Sequence, residues 1–325
     1  MEKSLLNMMM TSSPMDSWKL VLGELWKIFS TSLHPAKADA LTTERDKKAG
    51  EIDALLSGAA WDLWPEIKDS PLRTAIQLKK FWEQEAKGKA ILILDALSLR
   101  EACWIIEQAE SRGYVVNRSH ATVAEIPGDT TPFAKALGFN QRSSLADNGG
   151  KSDSFPNAYT ESIGIPFADC SKLIKPEVGV IFWHHWPDSS MHDLADDGNG
   201  GQKLTRAAIE TLTGDDFWSF IERLSTGRKL VITGDHGYAN AGLFRDIANK
   251  EQSDYMKKLL KSGRSSTNSA DSNHHWVPPL TVGINGNTLA VGRRKWKSQG
   301  GYPTLTHGGL SLLEMTVPFI EIERK

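Results

Sequence analysis

Six carboxylate and imidazole side chains lie next to short segments with the pattern of buried strands. They are Asp95, Asp188, His192, Asp235, His236 and His307. A mixed set of carboxylates and imidazoles suits zinc or manganese better than calcium, which prefers oxygen ligands alone. Two such ions side by side can clamp the attacking and leaving oxygens of a displacement at phosphorus. We therefore predict a phosphate-ester site with two divalent metal ions, zinc first and manganese as the alternative.

The spacing of these residues favours convergence. Asp188 and His192 are four residues apart, so on a helical turn both side chains project from the same face and can bind one ion. Asp235 and His236 are adjacent, and in an extended strand their side chains would diverge. A glycine on each side of this pair gives the backbone the freedom to bring the two side chains together at the strand end.

The segments that must hold these side chains alternate between strand and helix patterns. Predicted strands, several of them continuous apolar runs typical of a buried parallel sheet, are Ala90–Asp95, Tyr114–Asn117, Gly179–Trp183, Lys229–Thr233, Leu280–Ile284 and Val317–Ile322. Helical patterns lie between some of them, at 98–112 and 215–224. This alternation predicts an α/β fold with helices on both faces of one sheet. Ligands bind beyond the carboxyl ends of strands in such sheets, so we expect the six side chains to meet there.

The chain before the first predicted strand has a different pattern. Helical patterns occur there at 17–30, 41–56 and 71–87. Since no residue set suited to catalysis accompanies them, we predict residues 1–86 as an N-terminal helical region, either a cap or a docking surface for protein partners. Residues 87–325 are predicted as the domain that carries the site. Two stretches rich in small polar residues, 140–153 and 262–273, are predicted as surface loops.

Composition narrows the class of protein. The chain has 325 residues, of which 40% are hydrophobic, and this is enough for a substantial core. Its formal net charge of −2 gives no general argument for binding nucleic acid or a membrane surface. Cys103 and Cys170 have no CxxC spacing and are predicted as free thiols. Without a stretch long enough to span a bilayer or a typical signal peptide, we expect a soluble, cytoplasmic protein.

The order of the chemical residues resembles that of a known superfamily. An acid after the first strand, a hydroxyl residue, DxxxH, DH and a lone histidine follow one another as in the alkaline phosphatase superfamily. The local sequence is more similar still to the PglZ domain, in DALSLREA at Asp95, TGDHGY at Asp235 and THGGLSLLEMTVPFIEI at His307. The resemblance covers residue 87 to the C-terminus. It implies an alkaline-phosphatase-like, mostly parallel central sheet flanked by helices.

The resemblance also implies the roles of individual residues. It implies two metal sites, one formed by Asp188, His192 and His307 and the other by Asp95, Asp235 and His236. It further implies a Thr or Ser nucleophile in the segment IPGDTTPFAKALG, where Thr130 is favoured and Thr131 is the alternative. Metal coordination of this hydroxyl would favour the alkoxide, which attacks phosphorus. The implied activity is a metal-dependent phosphodiesterase on nucleotides or oligonucleotides, in phage defence or signalling. The alternative is a metal-bound scaffold of a bacterial defence complex.

Three further residues are candidates for contact with the substrate. Arg100 follows Asp95 and can reach a phosphate, or form a surface salt bridge. His275 ends the polar loop and can contact a phosphate, or belong only to the loop. Arg294 lies in VGRRKWKSQGGY, where basic residues surround Trp296. Such a segment can follow a nucleic-acid backbone and stack a base, and a solvated hairpin is the equally weighted alternative.

Overall fold

The computed structural model of this protein describes residues 3–268 and 276–324. The strands of the described residues are β1 (Lys89–Leu94), β2 (Tyr114–Val123), β3 (Tyr159–Ile163), β4 (Gly179–His184), β5 (Lys229–Gly234), β6 (Ala239–Asn240), β7 (Arg245–Asp246), β8 (Ser265–Ser266), β9 (Thr281–Ile284), β10 (Asn287–Ala290), β11 (Arg294–Lys295), β12 (Leu305–Thr306) and β13 (Thr316–Arg324).

Helices cover both faces of the sheet, and helices also make up much of the chain before β1. The α-helices of the described residues are α1 (Lys3–Thr11), α2 (Pro14–Ser30), α3 (Ala38–Ala59), α4 (Leu63–Glu66), α5 (Thr74–Glu83), α6 (Ala102–Ser111), α7 (Thr130–Ala136), α8 (Phe167–Cys170), α9 (Asp188–Asp193), α10 (Gly200–Thr213), α11 (Asp215–Ser225), α12 (Lys250–Leu260) and α13 (Leu312–Met315). None of them is both long and apolar enough to cross a lipid bilayer.

One six-stranded sheet forms the centre of the fold, in the order β2-β13-β5-β1-β4-β3. Strands β5, β1, β4 and β3 pair in parallel, and β13 runs antiparallel to both of its neighbours. The prediction of a mostly parallel α/β sheet is therefore confirmed. The sequence does not reveal β3, because its three buried residues are Thr160, Glu161 and Ser162 and the strand has no apolar run.

Alternate side chains of the central strand β1 enter cores on opposite faces of the sheet. Leu92 and Leu94 pack on one face with residues of α6 and α11, and Ile91 and Ile93 pack on the other with residues of α5 and α7. Burial on both faces explains the continuous apolar sequence of this strand. The sheet is thereby covered on both sides, and its strand ends remain free to carry a site.

The N-terminal helices pack directly on the domain that carries this sheet. Residues of α2 and α3 share a buried cluster with the end of β2 and with the segment before β13. Residues of α5 share the core beneath β1. The described part of residues 1–86 is helical, and its helices cover the sheet and the segment around α13. The domain boundary at residue 86 stays a prediction.

Candidate metal and phosphoester site

The ends of the three central parallel strands bring three predicted ligands together. Asp95 directly follows β1, Asp235 directly follows β5, and Asp188 begins α9 shortly after β4. The Asp188 N–H donates to the Asp95 carbonyl at 2.9 Å, and the Ala96 N–H donates to the Asp235 carboxylate at 2.9 Å. These bonds between neighbouring strand ends hold the acids at the edge of the sheet where α/β folds bind their ligands.

One group of ligand atoms is fully buried. Asp95, Asp235 and His236 each offer an atom, and these atoms lie within 4.8 Å of one another. His236 Nε2 is 3.4 Å from Asp95 Oδ1 and 3.6 Å from Asp235 Oδ2. The group combines two carboxylates with one imidazole, and this donor set suits a zinc or manganese ion.

A second group lies on the other side of His236. Asp188, His236 and His307 offer atoms that also lie within 4.8 Å of one another, and the two imidazole rings stack at 4.4 Å. His192 lies at the edge of this group, with Nε2 3.4 Å from Asp188 Oδ1 and a side chain that is 60% exposed. His236 therefore belongs to both groups, whereas the sequence assigns His192 with Asp188 and His307. The metal role of each residue stays a prediction.

The hydrogen bonds of the two inner histidines leave their Nε2 atoms available. Nδ1 of His236 lies 3.0 Å from the Gly237 carbonyl, and Nδ1 of His307 lies 3.2 Å from the Gly128 carbonyl. A carbonyl at Nδ1 requires the proton there, so Nε2 keeps its lone pair for an ion. Among the described residues, His236 Nε2 and Asp188 Oδ1 are buried without a hydrogen-bond partner. Buried polar atoms normally have partners, so these two fit a bound cation.

The pKa values of the two inner histidines are shifted in opposite directions. Burial opposes the charge on His236, but the Asp235 carboxylate and further nearby acids raise its pKa above the ordinary value. Burial and the neighbouring His236 lower the pKa of His307. The acids around His236 thus favour positive charge at the centre of the site, which a divalent cation would supply.

A hydroxyl group lies between the two buried carboxylates. Thr130 Oγ1 donates to Asp235 Oδ2 at 3.0 Å and lies 3.3 Å from Asp95 Oδ1. Thr130 is the first residue of α7, so the turn before the helix sets its direction. The next residue, Thr131, is exposed to solvent. Of the two hydroxyls that the sequence offers, Thr130 is therefore the one beside the ligand groups.

Arg142 is a residue of the site that the sequence does not predict. Its guanidinium contacts the Asp95 carboxylate from the 3₁₀ segment Arg142–Asn148, and its side chain is 27% exposed. The segment lies within the stretch 140–153, which has the composition of a surface loop. Nothing in that composition indicates that one of its side chains reaches the strand ends, so only the tertiary structure reveals it.

The turns beside the ligands pack backbone against backbone. A Cβ atom at Gly237 would lie 2.2 Å from the Leu313 carbonyl oxygen, so no side chain fits there. The Gly237 N–H donates to the Glu314 carbonyl at 3.0 Å. The segment that contains Asp235 and His236 is thereby joined to α13, which follows His307.

The substrate-contact role predicted for Arg100 is wrong, because its guanidinium is already fully engaged. Nε and Nη2 donate to Asp46 at 3.0 Å, and Nη1 donates to Ser98 Oγ and to the Tyr238 carbonyl. Both members of the Arg100–Asp46 pair are buried. The residue is a buried link between α3 and the strand ends, rather than a surface salt bridge or a phosphate ligand.

Only one of the other two candidate contacts lies among the described residues. His275 is outside the described residues. Arg294 is half-buried in β11, and its Nη1 donates to the Pro279 carbonyl at 3.0 Å. It lines a separate cavity, and no predicted metal ligand is among the residues of the described chain that line this cavity. A phosphate contact from Arg294 beside the ligand groups does not fit this position.

Comparison with known proteins identifies a family. A family model described as the BREX system PglZ alkaline phosphatase-like domain matches residues 136–322. No curated protein matches the chain. Among solved structures, the chain is similar to murine ectonucleotide pyrophosphatase/phosphodiesterase 5, at 13% identity over 73% of this chain and 88% of that chain, with a TM-score of 0.41. An inactive form of that protein with AMP gives 12% identity, 74% and 88% coverage, and a TM-score of 0.42.

Proposed function

The chain belongs to the PglZ family of BREX-system alkaline phosphatase-like domains, and from this membership we propose that it is a metal-dependent phosphoric-ester hydrolase that prefers phosphodiesters of nucleotides or oligonucleotides. One observation carries the proposal. The Thr130 hydroxyl lies within 3.3 Å of the carboxylates of Asp95 and Asp235, and both carboxylates border the buried His236. A hydroxyl beside a buried group of metal-type ligands is the arrangement that nucleophilic attack on a phosphate ester requires.

The residues proposed to hold the two ions are the six that the sequence indicates. They are Asp95, Asp235 and His236 for one ion, and Asp188, His192 and His307 for the other. A bound divalent cation would lower the pKa of the Thr130 hydroxyl and offset charge on the phosphoryl oxygens. The donor chemistry and two buried atoms that form no hydrogen bond, His236 Nε2 and Asp188 Oδ1, support this assignment. Zinc is the first choice for the ion and manganese the second.

The protein's own groups then orient the reaction. Asp235 accepts the hydrogen bond from Thr130 at 3.0 Å and so directs an oxygen lone pair away from itself. Thr130 Oγ1 gives up its proton as it forms a bond to phosphorus, and the ester oxygen departs with the electron pair of the broken bond and takes up a proton in turn. Water then attacks the phosphothreonine, which releases the phosphate product and restores the hydroxyl.

A release assay tests the hydrolase proposal. Purified protein, first without metal and then with zinc or manganese, is mixed with a nitrophenyl phosphodiester or with the nitrophenyl monoester, and bound metal is measured in the same samples. We expect turnover only with metal bound, with a higher kcat/KM for the diester. Turnover of the monoester alone would contradict the diester preference. No turnover of either ester by metal-loaded protein would contradict the hydrolase.

Arg142 is proposed to contact the phosphoryl group of the substrate. Its guanidinium reaches the carboxylate next to Thr130, and a partly exposed arginine there can donate to phosphoryl oxygens. Arg142→Gln should therefore lower kcat/KM for the diester by about 10- to 100-fold, the effect of one charge-assisted contact of roughly 1.5–3 kcal/mol. The matched control is Arg112→Gln, which removes an arginine paired with the exposed Asp215. Equal kcat/KM values for the two variants would exclude the contact.

The biological setting is also proposed. The family description names the BREX system, which supports a role in phage defence. A cytoplasmic location and protein partners that bind the N-terminal helices are proposed along with this role. The alternative function is a metal-bound scaffold of such a complex without hydrolysis. It is favoured by the sequence IPGDTT, which departs from the Pro-[Ser/Thr]-x-Thr pattern of the superfamily. Metal-loaded protein that turns over neither ester in the release assay would support the scaffold.

A further inference from the structure

A large cavity lies between the N-terminal helices and the region that follows β5. Its volume is about 910 Å³, and it is bordered by α3, β7, the start of α12 and β11. Small-molecule sites occupy about 300–1,000 Å³, so the cavity has the size of a binding site. The catalytic cluster, meaning Thr130 with the predicted metal ligands, contributes none of its lining within the described residues.

Basic side chains dominate the charged part of this lining. Four of them, Lys47, Arg245, Arg293 and Arg294, face two acids, Glu51 and Asp246. Arg293 is neutralised from behind, because its Nε donates to Asp53 at 2.6 Å and its Nη1 donates to the Asp46 carbonyl at 2.7 Å. A Cβ at Gly50 would lie 3.2 Å from Arg293 Nη1, so the glycine lets this guanidinium lie against α3. Arg293 is thus held in the wall of the cavity by contacts within the protein.

Of the remaining cations, Arg294 gives the strongest indication that the cavity binds an anion. It is half-buried, and Nη1 donates to the Pro279 carbonyl at 3.0 Å, which fixes the guanidinium at the wall. Burial lowers its pKa, yet an arginine keeps its proton in proteins. None of the carboxylates in the described part of the chain forms an ion pair with it. A partly desolvated cation without a counter-ion is costly, and a bound anion would offset that cost.

The rest of the lining suits a ligand with an apolar part. Lys47 and Arg245 are exposed residues of the lining, and neither forms an ion pair with a described carboxylate. Leu243, Ile247 and Val277 supply apolar surface, and Val277 is 81% exposed. Cations beside apolar surface match the phosphate and the sugar or base of a nucleotide.

We propose that this cavity binds a nucleotide phosphate, supplied by a free nucleotide or by a nucleic-acid strand, at a site distinct from the catalytic cluster. Binding at this site does not depend on hydrolysis, so a failed binding test would leave the proposed function unaffected, and a failed hydrolysis test would leave the site unaffected. A strand held here would leave its neighbouring phosphodiesters free to reach other parts of the protein surface. A free nucleotide would instead be a ligand that joins α3 to the region around α12.

Binding is measured on the full chain with a fluorescein-labelled single-stranded DNA oligonucleotide by anisotropy, with ADP as the competitor. A chelator is present, because the carboxylates of a metal-free catalytic cluster repel phosphate. Arg294→Gln should weaken binding by about tenfold or more, the effect of one charge-assisted hydrogen bond. Lys47→Gln with Arg245→Gln should weaken it and lower the slope of log K against log salt by about one for each phosphate that the variant no longer binds.

Lys250→Gln is the matched control, since Lys250 pairs with Asp254 on α12 and does not line the cavity. It should bind as the unmodified protein does. Competition by ADP would identify a free nucleotide as a sufficient ligand, and competition by unlabelled oligonucleotide alone would identify a strand; both support the site. The proposed site would be excluded if Arg294→Gln and the double variant of Lys47 and Arg245 both bind the oligonucleotide as the unmodified protein does. It would also be excluded if these variants lose no more affinity than Lys250→Gln. Absence of binding to the unmodified protein would overturn it too.

Discussion

Thr130→Ala should reduce hydrolysis of the nitrophenyl phosphodiester by at least about 10³-fold, because Thr130 is the proposed nucleophile and removal of a nucleophile costs far more than removal of one hydrogen bond to the substrate. Thr130 Oγ1 is 3.0 Å from Asp235 and 3.3 Å from Asp95, and alanine leaves no oxygen there to attack phosphorus. The ligand side chains are unchanged by the substitution. We therefore expect the variant to keep its bound metal and to lose kcat rather than to raise KM.

Thr131→Ala is the matched control for this prediction. The two threonines are adjacent in α7, but Thr131 is exposed to solvent and contacts neither carboxylate. Its substitution should change kcat/KM by less than about twofold, the range typical of surface changes within ±0.5 kcal/mol. The reverse result, with turnover lost in Thr131→Ala and kept in Thr130→Ala, would assign the nucleophile to the neighbouring residue. Turnover kept in both variants would exclude a threonine nucleophile in this segment.

The sequence predicts the centre of the candidate site because local rules determine it. Asp95 and Asp235 end apolar runs that form parallel strands, and parallel strands carry their carboxyl ends to one edge of the sheet. The convergence of these residues follows from strand direction alone. The fold class could also be predicted from the sequence, because burial on both faces leaves a continuous apolar pattern in β1 and β5.

The residues that surround the site could not be predicted from the sequence in this way. Arg142 reaches Asp95 from a segment with loop composition, and Arg100 points to a carboxylate of α3 rather than to the substrate. Both outcomes depend on contacts between residues distant in sequence, for which a single chain gives no pattern. The same holds for His236, whose place between two ligand groups depends on how the turns around Gly128 and Gly237 pack.

A buried ion pair supports the turn that carries His307, and its loss should cost about 3–5 kcal/mol of folding stability. Glu314 accepts from Arg264 Nε at 3.0 Å, from the Gly309 N–H at 3.0 Å and from Ser311 Oγ at 2.6 Å. Both charged side chains are fully buried. Glu314→Ala leaves the Arg264 charge without its partner and the Gly309 N–H without its acceptor. Urea unfolding measures the loss, and the release assay should show a parallel loss of bound metal as His307 moves.

The control is Glu323→Ala, which removes a half-exposed carboxylate 3.9 Å from Lys229 and should change stability by less than about 0.5 kcal/mol. A second variant separates the charge from the contacts. Arg264→Met with Glu314→Leu removes both charges, so it should be less destabilised than Glu314→Ala, because no buried charge is left unpaired. If the double variant is as unstable as Glu314→Ala or less stable, the unpaired charge of Arg264 is not the cause of the loss in stability. A loss below about 1 kcal/mol in Glu314→Ala would show that the turn around His307 is held by its backbone contacts alone.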